Sequence, residues 1–263
     1  MRLVSWNVNG LRACIRKGFV EWALSARPEV ICLQETRLGV DIPKQLEPLA
    51  EHYTLHFNHA DKKGYSGVGT FVRRDQGSRT TVEGFGHARY RAEGRTLVTD
   101  MGPFLLVNGY FPNGGKGPER LQFKLDYYAD LLAWCCKVRG DGKRIVITGD
   151  LNTSHHPIDL ARPDGNKRNS GFMPIEREWL DRYMAAGFFD TFRKFEPDGG
   201  HYSWWTNRAG ARERNVGWRL DYFLATTDLN QHVTAATIHA DVLGSDHCPV
   251  SVDIALEAGK TPA

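Results

Sequence analysis

Residues 144–152, Arg-Ile-Val-Ile-Thr-Gly-Asp-Leu-Asn, set a carboxylate and an amide two positions apart at the end of an apolar run. Ile145, Val146, Ile147 and Thr148 show no polar alternation, the pattern of a strand buried on both faces. Side chains alternate along a strand, so Asp150 and Asn152 leave it on the same side, just after Gly149 frees the backbone. A carboxylate and an amide held at the mouth of a rigid sheet can orient a water and a phosphoryl oxygen together. The same residues also fit an Asx turn, in which Asp and Asn bond their own backbone.

Four other places repeat the design. Asn7 and Asn9 follow Leu3-Val4-Ser5-Trp6, and Glu35 sits at the exit of the strand expected over 29–34. Asp221 lies in Arg219-Leu-Asp-Tyr-Phe-Leu224, where alternation would point it with Arg219 and Phe223. Asp246-His247 precedes Cys-Pro-Val-Ser-Val. Each alone reads more simply as a turn former, but strands lying side by side would bring all five to one rim. The inventory is hard oxygen ligands, no cysteine in ligand spacing, and one histidine beside an acid. Hard oxygens suit Mg²⁺ or Mn²⁺ rather than zinc. An imidazole with a carboxylate partner suits proton transfer or transition-state stabilisation. Together they describe metal-assisted phosphodiester hydrolysis.

The elements that must position these residues are mostly short strands, expected over 53–58, 66–73, 79–84, 95–100, 104–110, 202–205, 219–225, 233–239 and 249–254. Helical spacing covers 11–26, broken near Gly18, and 119–138, where Leu121, Leu125, Tyr128, Leu131, Leu132 and Cys135 form an apolar stripe. A further helix opens at Pro174 and runs over 175–186, and 153–172 is polar and irregular. The echo between 3–10 and 145–152 suggests a two-layer sandwich of pseudo-symmetric halves with helices outside. Residues 1–256 read as one domain, and 257–263 as a short tail.

Composition bounds the reading. With 41% hydrophobic and 25% charged residues, the 263-residue chain can bury a large core. The net charge of +3 is mildly basic, so a polyanion must be met by a local patch. Five cysteines in no metal or disulfide spacing point to reduced, mostly buried thiols. No apolar run approaches a membrane span, and Met1-Arg2 leads straight into a strand without a signal pattern. The expectation is a soluble, cytoplasmic protein with no membrane partner.

Eight segments, in order, resemble the exonuclease III / apurinic-apyrimidinic (AP) endonuclease family of the DNase I-like phosphoesterases. They are Ser-Trp-Asn-Val-Asn-Gly (5–10), Leu-Gln-Glu-Thr (33–36), Gly-Tyr-Ser-Gly-Val (64–68) and Tyr-Phe-Pro-Asn-Gly (110–114). Gly-Asp-Leu-Asn (149–152), Ser-Gly-Phe-Met-Pro-Ile-Glu-Arg (170–177), Asn-Val-Gly-Trp-Arg-Leu-Asp-Tyr (215–222) and Ser-Asp-His-Cys-Pro (245–249) complete the set. The resemblance implies a four-layer α/β sandwich of two packed, mainly antiparallel sheets flanked by helices. It implies Glu35 as the principal Mg²⁺ ligand, with Asn7, Asn9 and Asp246 in the metal and water shell and Mn²⁺ able to substitute. Asp150, helped by Asn152, would orient or deprotonate the attacking water. His247, held by Asp221, would stabilise charge on the phosphate, which Tyr110 and Asn113 would hold. The general base stays open between Asp150 and the Asp221–His247 pair.

The implied substrate is duplex DNA with abasic sites or blocked 3′ ends, cut 5′ to the lesion by a monomer associated with the nucleoid. The products would be a 3′-hydroxyl and a 5′-deoxyribose phosphate, with 3′→5′ exonuclease and 3′-end-cleaning activities alongside. By family position Trp204, Trp218 and Leu220 would line the pocket for the flipped sugar, with Trp205 left to the core. Lys116, Arg208 and Arg214 are candidate backbone contacts. Asn9 stands where the vertebrate branch has Asp, and Arg208 and Lys116 where that branch inserts Met and Arg into the duplex. Two other readings compete: a lipid-headgroup phosphatase of the same superfamily, and a DNA-binding module with a decayed site. The first lacks a visible membrane module, and the second would show substitutions at the acid, amide or His positions.

Overall fold

The period-two segments of the sequence pair into two six-stranded sheets. The computed structural model describes residues 1–255, so the tail expected at 257–263 lies outside them. In chain order come β1 (Arg2–Asn7), α1 (Leu11–Ile15), α2 (Phe19–Ala26), β2 (Val30–Gln34), α3 (Glu47–Ala50), β3 (Tyr53–Asn58) and β4 (Val68–Arg73). Next are β5 (Thr81–Glu83), β6 (Thr96–Asp100), β7 (Leu105–Tyr110), α4 (Pro118–Gly140), β8 (Ile145–Asp150), α5 (Pro163–Asn166) and α6 (Pro174–Ala185). The last are β9 (Phe188–Asp190), β10 (Asp221–Thr226), β11 (Val233–Ile238) and β12 (Val250–Ile254). Among the described residues no helix is long and apolar enough to cross a membrane.

One sheet runs β3-β4-β2-β1-β12-β11 and the other β5-β6-β7-β8-β10-β9. Position for position the two orders match. The central pairs, β1/β2 and β7/β8, are parallel, and every other pair is antiparallel. β1 and β8 each belong to the central parallel pair of their sheet and end at a common rim, which gives the echo between 3–10 and 145–152 a structural meaning.

Alternation then builds four layers. Leu3, Cys32, Val72, Leu106, Val146 and Phe223 fill the space between the sheets. Trp6, Ile31, Leu33 and Phe71 point outward onto Leu11, Phe19 and Leu49 of the first three helices. Ile145, Ile147, Tyr222 and Leu224 point outward onto Tyr128 and Leu131 of α4 and Leu180 and Tyr183 of α6. The sandwich expected from the sequence is borne out. Toward one rim the inter-sheet space turns polar: Gln34 donates to Ser5 Oγ (2.9 Å) and Asn108 Oδ1 (2.8 Å).

Two short elements, α3 and β9, carry too few periodic residues to stand out in the sequence. The strand expected over 202–205 is reduced to isolated bridges of Trp204 with Trp218 and with His247. Gly149 proves to be required by contact as well as by conformation. Its φ is +133°, and a Cβ there would lie 1.9 Å from the Gly109 carbonyl oxygen on β7. Gly149→Ala should therefore cost about 3 kcal/mol or more, read as a lower urea midpoint. An unchanged midpoint would contradict this account of the β7/β8 approach.

Candidate active site

The two parallel pairs end at the same rim. On one sheet Asn7, the last residue of β1, lies beside Gln34 of β2. On the other, Asp150 ends β8 between Tyr110 of β7 and Asp221 of β10. Beyond each strand the chain makes the same turn. The Asn152 amide donates to Asp150 Oδ1 (2.8 Å), and the Asn9 amide donates to Asn7 Oδ1 (3.0 Å). Asn152 and Asn9 sit at φ 52° and 44°, a left-handed region that Asn tolerates better than most residues. The Asx-turn reading is borne out, and it does not compete with the functional one, because the turn aims the side chains toward the cleft.

Hydrogen bonds knit the rim across the two sheets. Asn7 Nδ2 donates to Asp150 Oδ2 (2.8 Å) and to Glu35 Oε2 (3.2 Å). Asn152 Nδ2 donates to the Phe111 carbonyl (2.9 Å), and Asn113 Nδ2 donates to Asn152 Oδ1 (3.0 Å). His247 Nδ1 pairs with Asp221 Oδ2 at 2.8 Å, which leaves Nε2 3.9 Å from Asp150 Oδ2. Asp246 accepts from Asn9 Nδ2 (2.8 Å) and Trp204 Nε1 (3.1 Å).

These surroundings set the charges. Burial pushes the Asp150 carboxyl up to about 7, opposed by His247 and reinforced by Asp221. Burial works against a charged His247, but Asp221, Asp150 and Asp246 outweigh it and hold the imidazole up at about 10. Burial and the neighbouring Glu35 carboxylate raise Tyr110 well above a normal phenol, so it remains a neutral O–H donor. The result is a proton acceptor poised near neutrality beside a cationic imidazole.

A cleft of about 350 Å³ opens over this web. Asn9, Glu35, Tyr110, Asn113, Asp150, Asn152, Asp246 and His247 line its polar part, and Trp204, Trp218 and Leu220 its apolar wall. Asn7 and Asp221 are buried beneath it. Trp205 is core, as expected, under the Arg212 guanidinium 4.6 Å from its ring. Lys116, Arg208 and Arg214 are exposed and stand outside the cleft lining. Sequence reasoning did not single out Arg37, Asn169 or Ser203. Arg37 pairs with Glu35 from two residues away, a spacing the sequence displays openly. Ser203 donates to Asp221 Oδ2 (2.7 Å), and only the fold brings these two together.

The donor set suits a hard divalent cation. Glu35, Asp246, Asn7 and Asn9 offer carboxylate and amide oxygens, while the His247 imidazole is engaged by Asp221. Among the described residues no three or more His, Cys, Asp and Glu are grouped to hold a metal ion by themselves, so amide and water oxygens would have to complete the set. A cation here would keep water ligands, as Mg²⁺ and Mn²⁺ do.

Residues 4–247 match the endonuclease/exonuclease/phosphatase family. The chain belongs to that family. The chain is 41% identical over 256 residues to an exodeoxyribonuclease of Bacillus subtilis, covering 97% of this chain and 99% of the relative. It is 37% identical to the DNA repair nuclease APEX1 of Danio rerio, over 97% of this chain and 83% of that one. The crystal structure of the AP endonuclease LMAP from Leishmania major superposes with a TM-score of 0.87 at 28% identity, over 97% and 87% of the two chains. The expectation of an exonuclease III / AP endonuclease-type enzyme is borne out by these relatives, and the family is one of divalent-cation-dependent nucleases.

Arg219 departs from the strand alternation expected over 219–225. β10 begins at Asp221, so Arg219 does not share a face with it. Arg219 instead lies 4.2 Å from the Tyr222 ring centroid and pairs with Asp159 (2.8 Å) and Asp190 (2.6 Å). Arg193 also binds Asp159, and this buried network braces the Trp218–Asp221 segment. Burial opposes the Asp159 charge, but the two arginines hold its carboxyl far below the usual range. Its folded pKa lies below the unfolded one, so its stabilisation is full above about pH 4 and is lost as pH falls further. Asp159→Asn should cost about 3 kcal/mol at neutral pH. Its urea midpoint should also fall less than the wild-type midpoint between about pH 5 and pH 3. Parallel acid profiles would refute the assignment.

Proposed function

We propose that the protein is a DNA repair nuclease that hydrolyses the phosphodiester 5′ to an abasic site in duplex DNA, leaving a 3′-hydroxyl and a 5′-deoxyribose phosphate. It also digests 3′ ends and clears blocked ones. The carrying observation is that a buried carboxylate, a cationic imidazole and a tryptophan-walled recess share one cleft. The relatives named as an exodeoxyribonuclease, a DNA repair nuclease and an AP endonuclease support the same reading. One copy of the chain carries every residue of the assignment, which supports action as a monomer.

Glu35, with Asn7, Asn9 and Asp246, would hold Mg²⁺, or Mn²⁺ in its place. The cation supplies electrostatic stabilisation of the charge that builds on the phosphate. Asp150 orients the attacking water and accepts its proton, with Asn152 and Asn7 fixing the carboxylate. Asp221 holds His247 so that Nε2 donates to a non-bridging oxygen, and Tyr110 and Asn113 donate to the same phosphate. Preorganised donors of this kind usually supply the largest share of rate enhancement. Water forms a bond to phosphorus, the P–O3′ bond breaks, and the 3′ oxygen takes a proton from solvent. Trp204, Trp218 and Leu220 present an apolar recess that favours a sugar without its base. Lys116, Arg208 and Arg214, exposed outside the cleft, would meet the DNA backbone.

The deciding experiment is incision of a duplex carrying one synthetic abasic site, with Mg²⁺ and with EDTA, beside an undamaged recessed duplex. Mg²⁺-dependent cutting immediately 5′ to the lesion is expected. Digestion of the recessed end alone would overturn the role of Trp204 and Trp218, and no cleavage of either would favour a binding module. Asp150→Asn should lower incision by about 10²–10⁴-fold while DNA affinity is retained. Unchanged incision would remove Asp150 from its role.

A further inference from the structure

Behind the cleft wall lies a buried ion pair with no part in the chemistry above. Lys124 falls on the apolar stripe of α4, and Glu176 lies in the first turn of α6. Both side chains are 0% exposed, with Nζ 2.7 Å from Oε1. Burial pulls the lysine below its ordinary pKa, opposed by Glu176. Removing two charges from water costs several kcal/mol per ion, and apolar replacements are often neutral or stabilising. Helix packing elsewhere on this face uses aromatics, as between Tyr128 and Tyr183. Stability alone does not account for the pair.

Its other bonds do. Lys124 Nζ also donates to the Asn152 carbonyl (2.7 Å). Glu176 Oε1 accepts from Ser170 Oγ (2.8 Å), and Oε2 accepts from the Gly171 amide (2.7 Å). Ser170 Oγ accepts from the Gly114 amide (3.1 Å), and Asn113 Oδ1 accepts from the Gly115 amide (2.8 Å). Asn113 Nδ2 then returns to Asn152 Oδ1 (3.0 Å). The bonds close a ring through three loops, and Asn152, at φ 52°, is held from both its carbonyl and its side chain.

We propose that Lys124 and Glu176 are positioning residues, which together fix the Asn152 loop against the Ser170–Gly171 wall of the cleft. The proposal rests on the reading of the cleft as a phosphodiester-cleaving site. One loop serves the reacting phosphate and the other faces the sugar, so the ring sets the spacing between them. Neither Lys124 nor Glu176 lines the cleft, so loosening the ring degrades turnover and leaves substrate affinity nearly unchanged.

The test is the apolar double variant Lys124→Met/Glu176→Leu, assayed on the abasic duplex. Its thermal midpoint is expected at or above wild type, because the buried charges are gone. Its kcat should fall by about tenfold or more with KM within about threefold, since small misplacements can cost about 10² in rate. A stable variant with wild-type kcat overturns the proposal, as does a loss confined to KM. If the double variant does not fold, Ser170→Ala opens the ring at a half-buried position with the ion pair left intact. A kcat several-fold lower at similar KM supports the role, and full kcat overturns it. Wild-type protein that fails to cut the abasic duplex overturns the reading of the cleft itself, a different result from either.

Discussion

A single hydrogen bond across the sandwich, from Asn7 Nδ2 to Asp150 Oδ2 at 2.8 Å, joins the ends of the two central strands. Each sheet alone delivers half a site. β1 and β2 bring Asn7, Asn9 and Glu35, while β7, β8 and β10 bring Tyr110, Asp150 and Asp221. The bond requires both sheets to end at the same height, as Asn7 at the end of β1 and Asp150 at the end of β8 do. Close approach of Gly109 and Gly149 then fixes β8 against its neighbour. The apolar middle of the sandwich supplies rigidity, and the polar layer of Ser5, Gln34 and Asn108 leads from it to the rim.

On that frame similar groups acquire different roles. Asp150 and Asp221 are register partners on adjacent antiparallel strands, yet their surroundings differ. Asp221 Oδ2 is bonded to both His247 and Ser203. Asp150 is fed by amide donors and lies only within 3.9 Å of the imidazole, so burial raises its pKa. Two adjacent acids with different hydrogen-bond partners can thus take different parts, one orienting the imidazole and the other facing the cleft.

Much of this was legible in the sequence, and the rest fails for physical reasons. Unalternating Ile-Val-Ile-Thr marks β8 because a strand buried on both faces has no polar side. The i, i+2 pairs at 7/9 and 150/152 are visible because the same short polar side chains make the turn and cluster at the rim of the cleft. The stretch at 202–205 looked like a strand, but Trp204 bridges both Trp218 and His247 without a ladder. Arg219 escaped because alternation holds only inside a strand, and β10 starts two residues later. Lys124 was overlooked although its spacing places it on the stripe of α4. A charged residue at an apolar position is a signal only when its partner, Glu176, 52 positions away, is known. Arg37, beside Glu35, could have been found from spacing alone.

β1 pairs with β12, so the first strand of the chain is completed by the last strand of the described residues. Asp246 and His247 sit in the loop just before β12, far along the chain from Asn7 and Glu35. During synthesis the N-terminal half therefore emerges with an unfilled edge on β1 and without its imidazole. Non-local pairings of this length close slowly and late. The cleft is therefore complete only when the whole sandwich is, and a partly made chain presents only one side of it.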